Sequence, residues 1–169
     1  MHIDKIKINN FKNYNSAEIN FSSKINFLYG KNGAGKTNLL DAIYYLSYGK
    51  SIINNVDFDN TKHTESFFSI EGSYSNNNSY KCTFEKPSSK KFFENETKYK
   101  NIKKHIGKIP LVFVNPYDIN LIRNYSNNRR RFFDQILSQI DDKYFDSLIK
   151  YNRLIKQRNS YLKNLISIS

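Results

Sequence analysis

The chain has 169 residues, enough for one domain with a real core, and a formal net charge of +12 from 27 Lys and Arg against 15 Asp and Glu. That surplus points to polyanionic partners, nucleic acid first among them. Part of the lysine excess needs no function, because 24 asparagines, few Ala and no Trp are the drift that AT-rich codons give to any protein. A lone cysteine, Cys82, excludes an intramolecular disulfide and suits a reducing cytoplasm; a small hydrophobe in a strand is its ordinary role. No apolar run is long enough to span a bilayer, and the opening residues do not read as a signal peptide.

Residues 2–9 place Ile3, Ile6 and Ile8 among charged neighbours and read as an edge-type strand. Phe11-Lys12-Asn13-Tyr14 follows, then a second alternating strand over Ala17-Glu18-Ile19-Asn20-Phe21 and a turn at Ser22-Ser23-Lys24. Ile25-Asn26-Phe27-Leu28-Tyr29 is a short apolar run that predicts a buried strand. Gly30-Lys31-Asn32-Gly33-Ala34-Gly35-Lys36-Thr37 then fits G-x-x-x-x-G-K-[ST], the phosphate-binding loop, at every fixed position. Apolar residues at 39, 40, 43 and 46 mark one face of the helix that follows. A glycine turn before an ordinary helix is the bland alternative. Three glycines, the lysine, the threonine and both flanks argue against it.

The glycines permit backbone angles and approaches that a side chain forbids. The loop N–H groups and the helix dipole can then face a phosphate. Lys36 would reach the outer phosphates, and Thr37 would offer its hydroxyl to Mg²⁺. The whole run Met1 to Leu46, with N-F-K-N-Y, Asn32 before the middle glycine and N-L-L-D-A-I after Thr37, resembles ATPases related to the structural-maintenance-of-chromosomes (SMC) proteins. That resemblance implies an ABC-type ATPase head.

Residues 47–66 are polar and irregular, with turn material at Asn54-Asn55 and from Asp57 to Thr64, and read as a surface loop. Residues 67–72 and 80–85 predict two strands joined by a hairpin loop at 75–79, and 91–94 with 97–99 a second hairpin around Asn95-Glu96. The economical arrangement is a small antiparallel sheet beside the nucleotide strand. Between 81 and 108 lie nine lysines and three acids interleaved with Phe92, Phe93 and Tyr99. Such a mixture can bind nucleic acid through phosphate contacts and stacking, or can be a solvated face whose aromatics point inward.

Ile109 to Val114 is a compact apolar run that predicts another buried strand. Asn115 can cap and Pro116 suits a first helical position in the segment reaching Ile122. A helix begins near Ser126 with Phe132, Phe133, Ile136, Leu137 and Ile140 as its apolar face. A last helix runs from about Asp142 to Leu165 with one seam at Tyr144, Leu148, Tyr151, Ile155 and Leu162.

V-F-V-N-P-Y-D-I-N-L-I, N-R-R-R-F-F-D, L-S-Q-I-D and Y-N-R-L-I-K-Q-R-N resemble the RecF family of DNA replication and repair proteins in order and spacing, extending the likeness to about Lys163. Many members carry P-E-D where this chain has Pro116-Tyr117-Asp118. The resemblance implies an α/β P-loop fold of ABC-ATPase type. In it a mixed sheet carries an antiparallel β subdomain and the start of a helical lobe, divided here as 1–115 and 116–169. It also implies a weak ATPase that binds ATP and Mg²⁺ through Gly30, Lys31, Asn32, Gly33, Ala34, Gly35, Lys36 and Thr37. Implied partners are single-stranded or gapped DNA, recombination mediator proteins and a second copy in an ATP-dependent homodimer. DNA contacts are expected at Lys98, Lys100, Lys103, Lys104, Arg129, Arg130 and Arg131. The expected roles are replication, recombinational repair and SOS induction in the cytoplasm, with no membrane.

Family chains are about twice this length. The sequence holds no signature loop and no strand ending in a Walker B Asp-Asp or Asp-Glu. Asp141-Asp142 follows Ile140 on a helical pattern, and Leu137-Ser138-Gln139 lacks a glycine. The expectation is therefore an N-terminal half without ATP turnover of its own. The alternative is a remnant that binds DNA or a partner without ATPase activity.

Overall fold

The computed structural model describes residues 1–54, 56–119 and 126–166, in two compact units, Met1–Leu111 and Val112–Ser169. Asn55, residues 120–125 and the closing 167–169, which include part of the expected turn at Asn54-Asn55 and of the segment reaching Ile122, lie outside the described residues.

In the first unit one sheet carries six strands in the order β2-β1-β3-β4-β5-β6, every neighbouring pair antiparallel. The strands are β1 Ile3–Phe11, β2 Tyr14–Asn20, β3 Phe67–Tyr74, β4 Ser79–Glu85, β5 Ser89–Glu94 and β6 Thr97–Lys98. Both expected hairpins form. The β5–β6 turn places Asn95 and Glu96 at φ 47° and 67°, the paired left-handed geometry that a two-residue hairpin connection requires. β1 is an interior strand, not the edge that its charged pattern predicted: it bonds β2 on one side and β3 on the other. Its lysines sit on the wet face, where Lys5 and Lys7 both pair with Glu18 of β2.

Alternation puts Ile6, Ile8, Phe68, Ile70, Cys82 and Phe84 on the opposite face. Asn10, at φ 53°, shifts the inward phase by one residue, so Phe11 rather than Asn10 joins the core. Helix α1, Lys36–Tyr48, lies on this face through Leu39, Ala42, Tyr45 and Leu46. Gly72 of β3 makes the close approach possible, since a Cβ there would lie 2.7 Å from Leu46 Cδ2. Edge-to-face contacts join Phe11, Tyr45 and Phe68, with ring centroids 5.2–5.8 Å apart. Full burial of each such ring contributes on the order of 2–3 kcal/mol. Gly49, left-handed at φ 69°, ends the helix by donating to Tyr45 O at 2.8 Å.

Three sequence expectations are corrected. On the inner face of α1, Leu39 and Leu46 are buried and Ile43 packs against the core as expected, but Leu40 is exposed and Asp41 is buried in its place. Asp41 can be buried because Lys12, Ser51 and the Ile52 N–H all bind its carboxylate. Residues 47–66 are not simply a surface loop, since Ser51, Asn60 and Thr61 are buried and Asn60 O accepts the Lys12 N–H at 2.8 Å. Segments 25–29 and 109–114 are not strands, although Ile109 at the start of the second is buried in the core. They carry no ladder bonds, and Phe27, Tyr29 and Val114 are 85%, 94% and 72% exposed. An apolar run becomes a strand only when neighbouring strands satisfy its backbone, and none among the described residues does so.

In the second unit a 3₁₀ turn at Pro116–Ile119 precedes α2, Ser126–Ile140, and α3, Asp142–Ile166. Asp141 breaks the two helices apart and caps α3, accepting from Lys143 N at 2.8 Å and Tyr144 N at 3.1 Å. Tyr144 ties the pair together through Asp134 at 2.6 Å. The predicted apolar face of α2 is exposed at Phe133 and Ile140, and the α3 seam at Tyr151 and Leu162.

Candidate nucleotide-binding site

The phosphate loop is built from strain that only glycine tolerates. Gly30, Gly33 and Gly35 have φ of 145°, 83° and 100°, and Ala34 N donates to Lys31 O across the turn at 3.2 Å. Gly35 is the N-cap of α1. No side chain caps this end, and the first turn holds no acidic residue. The helix therefore presents its N–H groups and positive dipole end with no built-in anion, the arrangement that suits a phosphate. Lys36 Nζ donates to Gly30 O and Lys31 O, both at 2.8 Å, which holds the ammonium inside the loop. Thr37 is exposed in the first turn. All eight predicted residues thus lie in one loop and helix start.

The β1–β2 turn packs against this loop, a feature absent from the sequence reading. Asn13 Nδ2 reaches Gly33 O at a long 3.4 Å, Asn38 Nδ2 donates to Asn13 Oδ1 at 2.8 Å, and Tyr14 OH donates to Gly35 O at 3.2 Å. No periodic pattern links the turn to the loop across the 15 residues between Tyr14 and Gly30, so only N-F-K-N-Y as a block could have drawn attention to it.

The candidate DNA contacts fall in both units. Lys98 and Lys100 line a cleft of about 400 Å³ together with Lys91 and Tyr99, and Lys103 and Lys104 stand on the 3₁₀ turn Ile102–Lys104 beside it. Two of the three aromatics turn inward: Phe92 is buried and packs on His105, and Tyr99 packs against the core with its OH donating to Glu94 at 2.7 Å, while Phe93 lies on the other face of β5. Lys90 is committed to structure, donating to Gly49 O at 2.9 Å and Asp57 at 2.6 Å. Arg129, Arg130 and Arg131 are exposed in the opening turns of α2, where the helix dipole opposes positive charge and an anion would relieve it.

Asp118, which closes the Pro116-Tyr117-Asp118 segment, is engaged locally. It accepts from Asn115 N at 2.7 Å and from Asn115 Nδ2 at 3.0 Å. Cys82 is buried in β4, where burial pushes its thiol up, in keeping with a structural role.

A loop of this geometry opening a helix against a sheet defines a P-loop ATPase head. The chain belongs to the AAA domain family, whose model matches residues 5–168. It is similar to the DNA replication and repair protein RecF of Bacteroides fragilis, 45% identical over 168 residues, and to that of Flavobacterium johnsoniae, 43% identical over 166. These matches cover 97% and 96% of this chain but 45% and 46% of the relatives, so the chain spans about half the length of the curated relatives it matches. Among solved structures, the recombination mediator protein RecF-ATPrS of the RecFOR pathway superposes with a TM-score of 0.89 at 30% identity. That match covers 96% of this chain and 45% of the other. An SMC ATPase superposes at 0.65 with 18% identity over 80% of this chain and 99% of the other, a likeness of fold alone. The chain is RecF-like over nearly all of its length, with the ATPase-head fold of RecF and SMC proteins in partial form, its described sheet antiparallel throughout. Among the described residues no helix is long and apolar enough to cross a membrane.

Proposed function

We propose that this chain is the nucleotide-binding part of a RecF-type ATPase head, which binds Mg²⁺–ATP at residues 30–37 and single-stranded or gapped DNA on its basic surface. The uncapped, acid-free start of α1 beneath three glycines carries the reading. Lys36 would exchange its two carbonyl partners for phosphate oxygens. Thr37 would bind Mg²⁺ through its hydroxyl, with phosphate oxygens and waters completing the coordination. Among the described residues no cluster of three His, Cys, Asp or Glu could hold a metal by itself, so the ion would arrive with the nucleotide.

Residues 1–115 then serve as part of the ATPase lobe and 116–169 as the start of a helical lobe. In the longer protein the head would dimerise around ATP in the cytoplasm and work with recombination mediator proteins in replication, recombinational repair and SOS induction. A second reading, a DNA- or partner-binding chain without ATPase activity, is favoured by the engagement of Asp118 with Asn115.

The deciding experiment is Mg²⁺–ATP binding by calorimetry to the wild-type chain and Lys36→Ala. Binding should vanish in the variant while the far-ultraviolet spectrum stays unchanged, because Lys36 faces the loop and not the core. Equal affinity in the two proteins would remove the assignment.

A further inference from the structure

We infer that the β1–β2 turn is the element that holds the phosphate loop in its anion-ready shape, with Asn13 and Tyr14 as positioning residues. The inference rests on the nucleotide-binding reading of residues 30–37 and adds what keeps that loop formed.

A loop with three glycines gains its shape at an entropic cost, because glycine samples more backbone conformers than any other residue. Within the loop the Ala34 N–H to Lys31 O bond and the Lys36 ammonium on Gly30 O and Lys31 O resist part of that spread, while the side chains of Lys31, Asn32 and Ala34 are exposed and do not bind the loop carbonyls at Gly33 and Gly35. The turn adds restraint from outside at three points. Tyr14 OH binds the Gly35 carbonyl, which also accepts the first helical bond from Leu39 N at 2.9 Å. A trans peptide fixes its N–H opposite its C=O, so holding the Gly35 carbonyl also fixes the direction of the Lys36 N–H. Asn13 spans the loop with one carboxamide, donating toward Gly33 O and accepting from Asn38 in the first turn of α1. Both side chains lie flush on Gly35: a Cβ there would be 2.9 Å from Asn13 Nδ2 and 3.1 Å from the Tyr14 oxygen.

These groups are neutral and grip carbonyl oxygens, so they leave the N–H groups to an anion and neither compete with a phosphate nor repel it. The turn is itself fixed. Phe11 pairs with Tyr14 across the hairpin, Lys12 N–H binds Asn60 O at 2.8 Å, and the Lys12 ammonium is paired with Asp41 in α1. The same short segment therefore grips the loop, the helix that follows it, and the sheet. Preorganised donors of this kind avoid the reorganisation cost at the moment of binding.

The test compares the wild-type chain with Tyr14→Phe, an isosteric change, and Asn13→Ala. Three quantities are measured: amide hydrogen exchange at residues 33–37 without nucleotide, affinity for ATP and for inorganic tripolyphosphate, and the denaturant midpoint. Loop amides should exchange faster, and both affinities should fall, by roughly five- to tenfold, the scale of one or two lost hydrogen bonds. The denaturant midpoint should move little. Wild-type exchange at the loop in both variants, or changes that only track global stability, would overturn the positioning role. If the wild-type chain binds neither ATP nor tripolyphosphate, the nucleotide reading falls, and the exchange comparison still decides whether the turn holds the loop.

Discussion

Lys12 and Asp41 form an ion pair closed to solvent on both sides, with 8% and 2% of their side-chain surfaces exposed. The lysine comes from the β1–β2 turn and the aspartate from the middle of α1. Ser51 donates a further hydrogen bond to Asp41 at 2.6 Å and the Ile52 N–H another at 2.7 Å, so the carboxylate has the extra donors that a buried charge requires.

Breaking that pair from one side should therefore cost more than removing it altogether. Lys12→Met leaves a buried carboxylate without its counter-charge, and we expect a loss of about 3–5 kcal/mol of unfolding free energy. Lys12→Met combined with Asp41→Leu should recover part of it. Chemical denaturation of the two variants checks this; equal losses in single and double variants would show that the charge is not what matters at this position.

His105 makes stability sensitive to acid. It is fully buried among Tyr80, Phe92 and Tyr99, its Nε2 lies 2.5 Å from Leu46 O, and its Nδ1 has no partner among the described residues. The carbonyl contact requires the proton on Nε2, and burial holds the imidazole below its ordinary pKa of 6.5, against the opposing pull of Glu94. A depressed pKa means that the native state binds fewer protons than the unfolded one. The contribution is then fully present above 6.5 and is lost as pH falls below it. The unfolding midpoint should drop between pH 7.5 and 5.5, a window in which Glu94 stays ionised: burial raises its pKa, and the Tyr99 hydroxyl, Lys108 and Tyr80 together more than offset this and leave it lowered. His105→Phe should flatten that slope, and an equal slope in both proteins would clear His105 of the effect.

DNA binding should be electrostatic. Each phosphate neutralised contributes about one unit to the slope of log affinity against log salt. Changing Lys98 and Lys100 to Glu should weaken binding several-fold and reduce that slope by about two units. Reversing Arg129, Arg130 and Arg131 should act in the same direction. A fluorescence-anisotropy titration with single-stranded DNA at several salt concentrations reads both quantities. Unchanged affinity at low salt would make the lysines of the cleft solvated surface only.

The chain by itself should not turn over ATP. Phosphoryl transfer needs the nucleotide-bound metal fixed and the attacking water oriented, and P-loop enzymes use a Walker B aspartate beside the loop Thr for the first task. Thr37 is present, whereas Asp118 is held by Asn115. Phosphate release with and without DNA should stay at background, and Asp118→Asn should leave it there. Turnover that disappears with Lys36→Ala would refute this expectation.

Local signals determined the features whose cause is local. Gly30 to Thr37 needed φ values that only glycine adopts readily, Asn95-Glu96 set a two-residue turn, and alternation in 67–74 and 79–85 decided which side chains face inward. Resemblance extended that reading to the head fold. Tertiary structure alone decided what depends on neighbours distant in sequence. Ile3–Phe11 is interior because β3, some sixty residues away, bonds its free side. Asp41 displaced Leu40 from the buried face because Lys12, 29 residues earlier, arrived beside it. Residues 25–29 have the composition of a buried strand and lie exposed, because a strand exists only where another backbone takes up its hydrogen bonds. Asn13 and Tyr14 carry no periodic signal that ties them to the loop; they meet it because a hairpin turn and a helix start are brought together by the core beneath them.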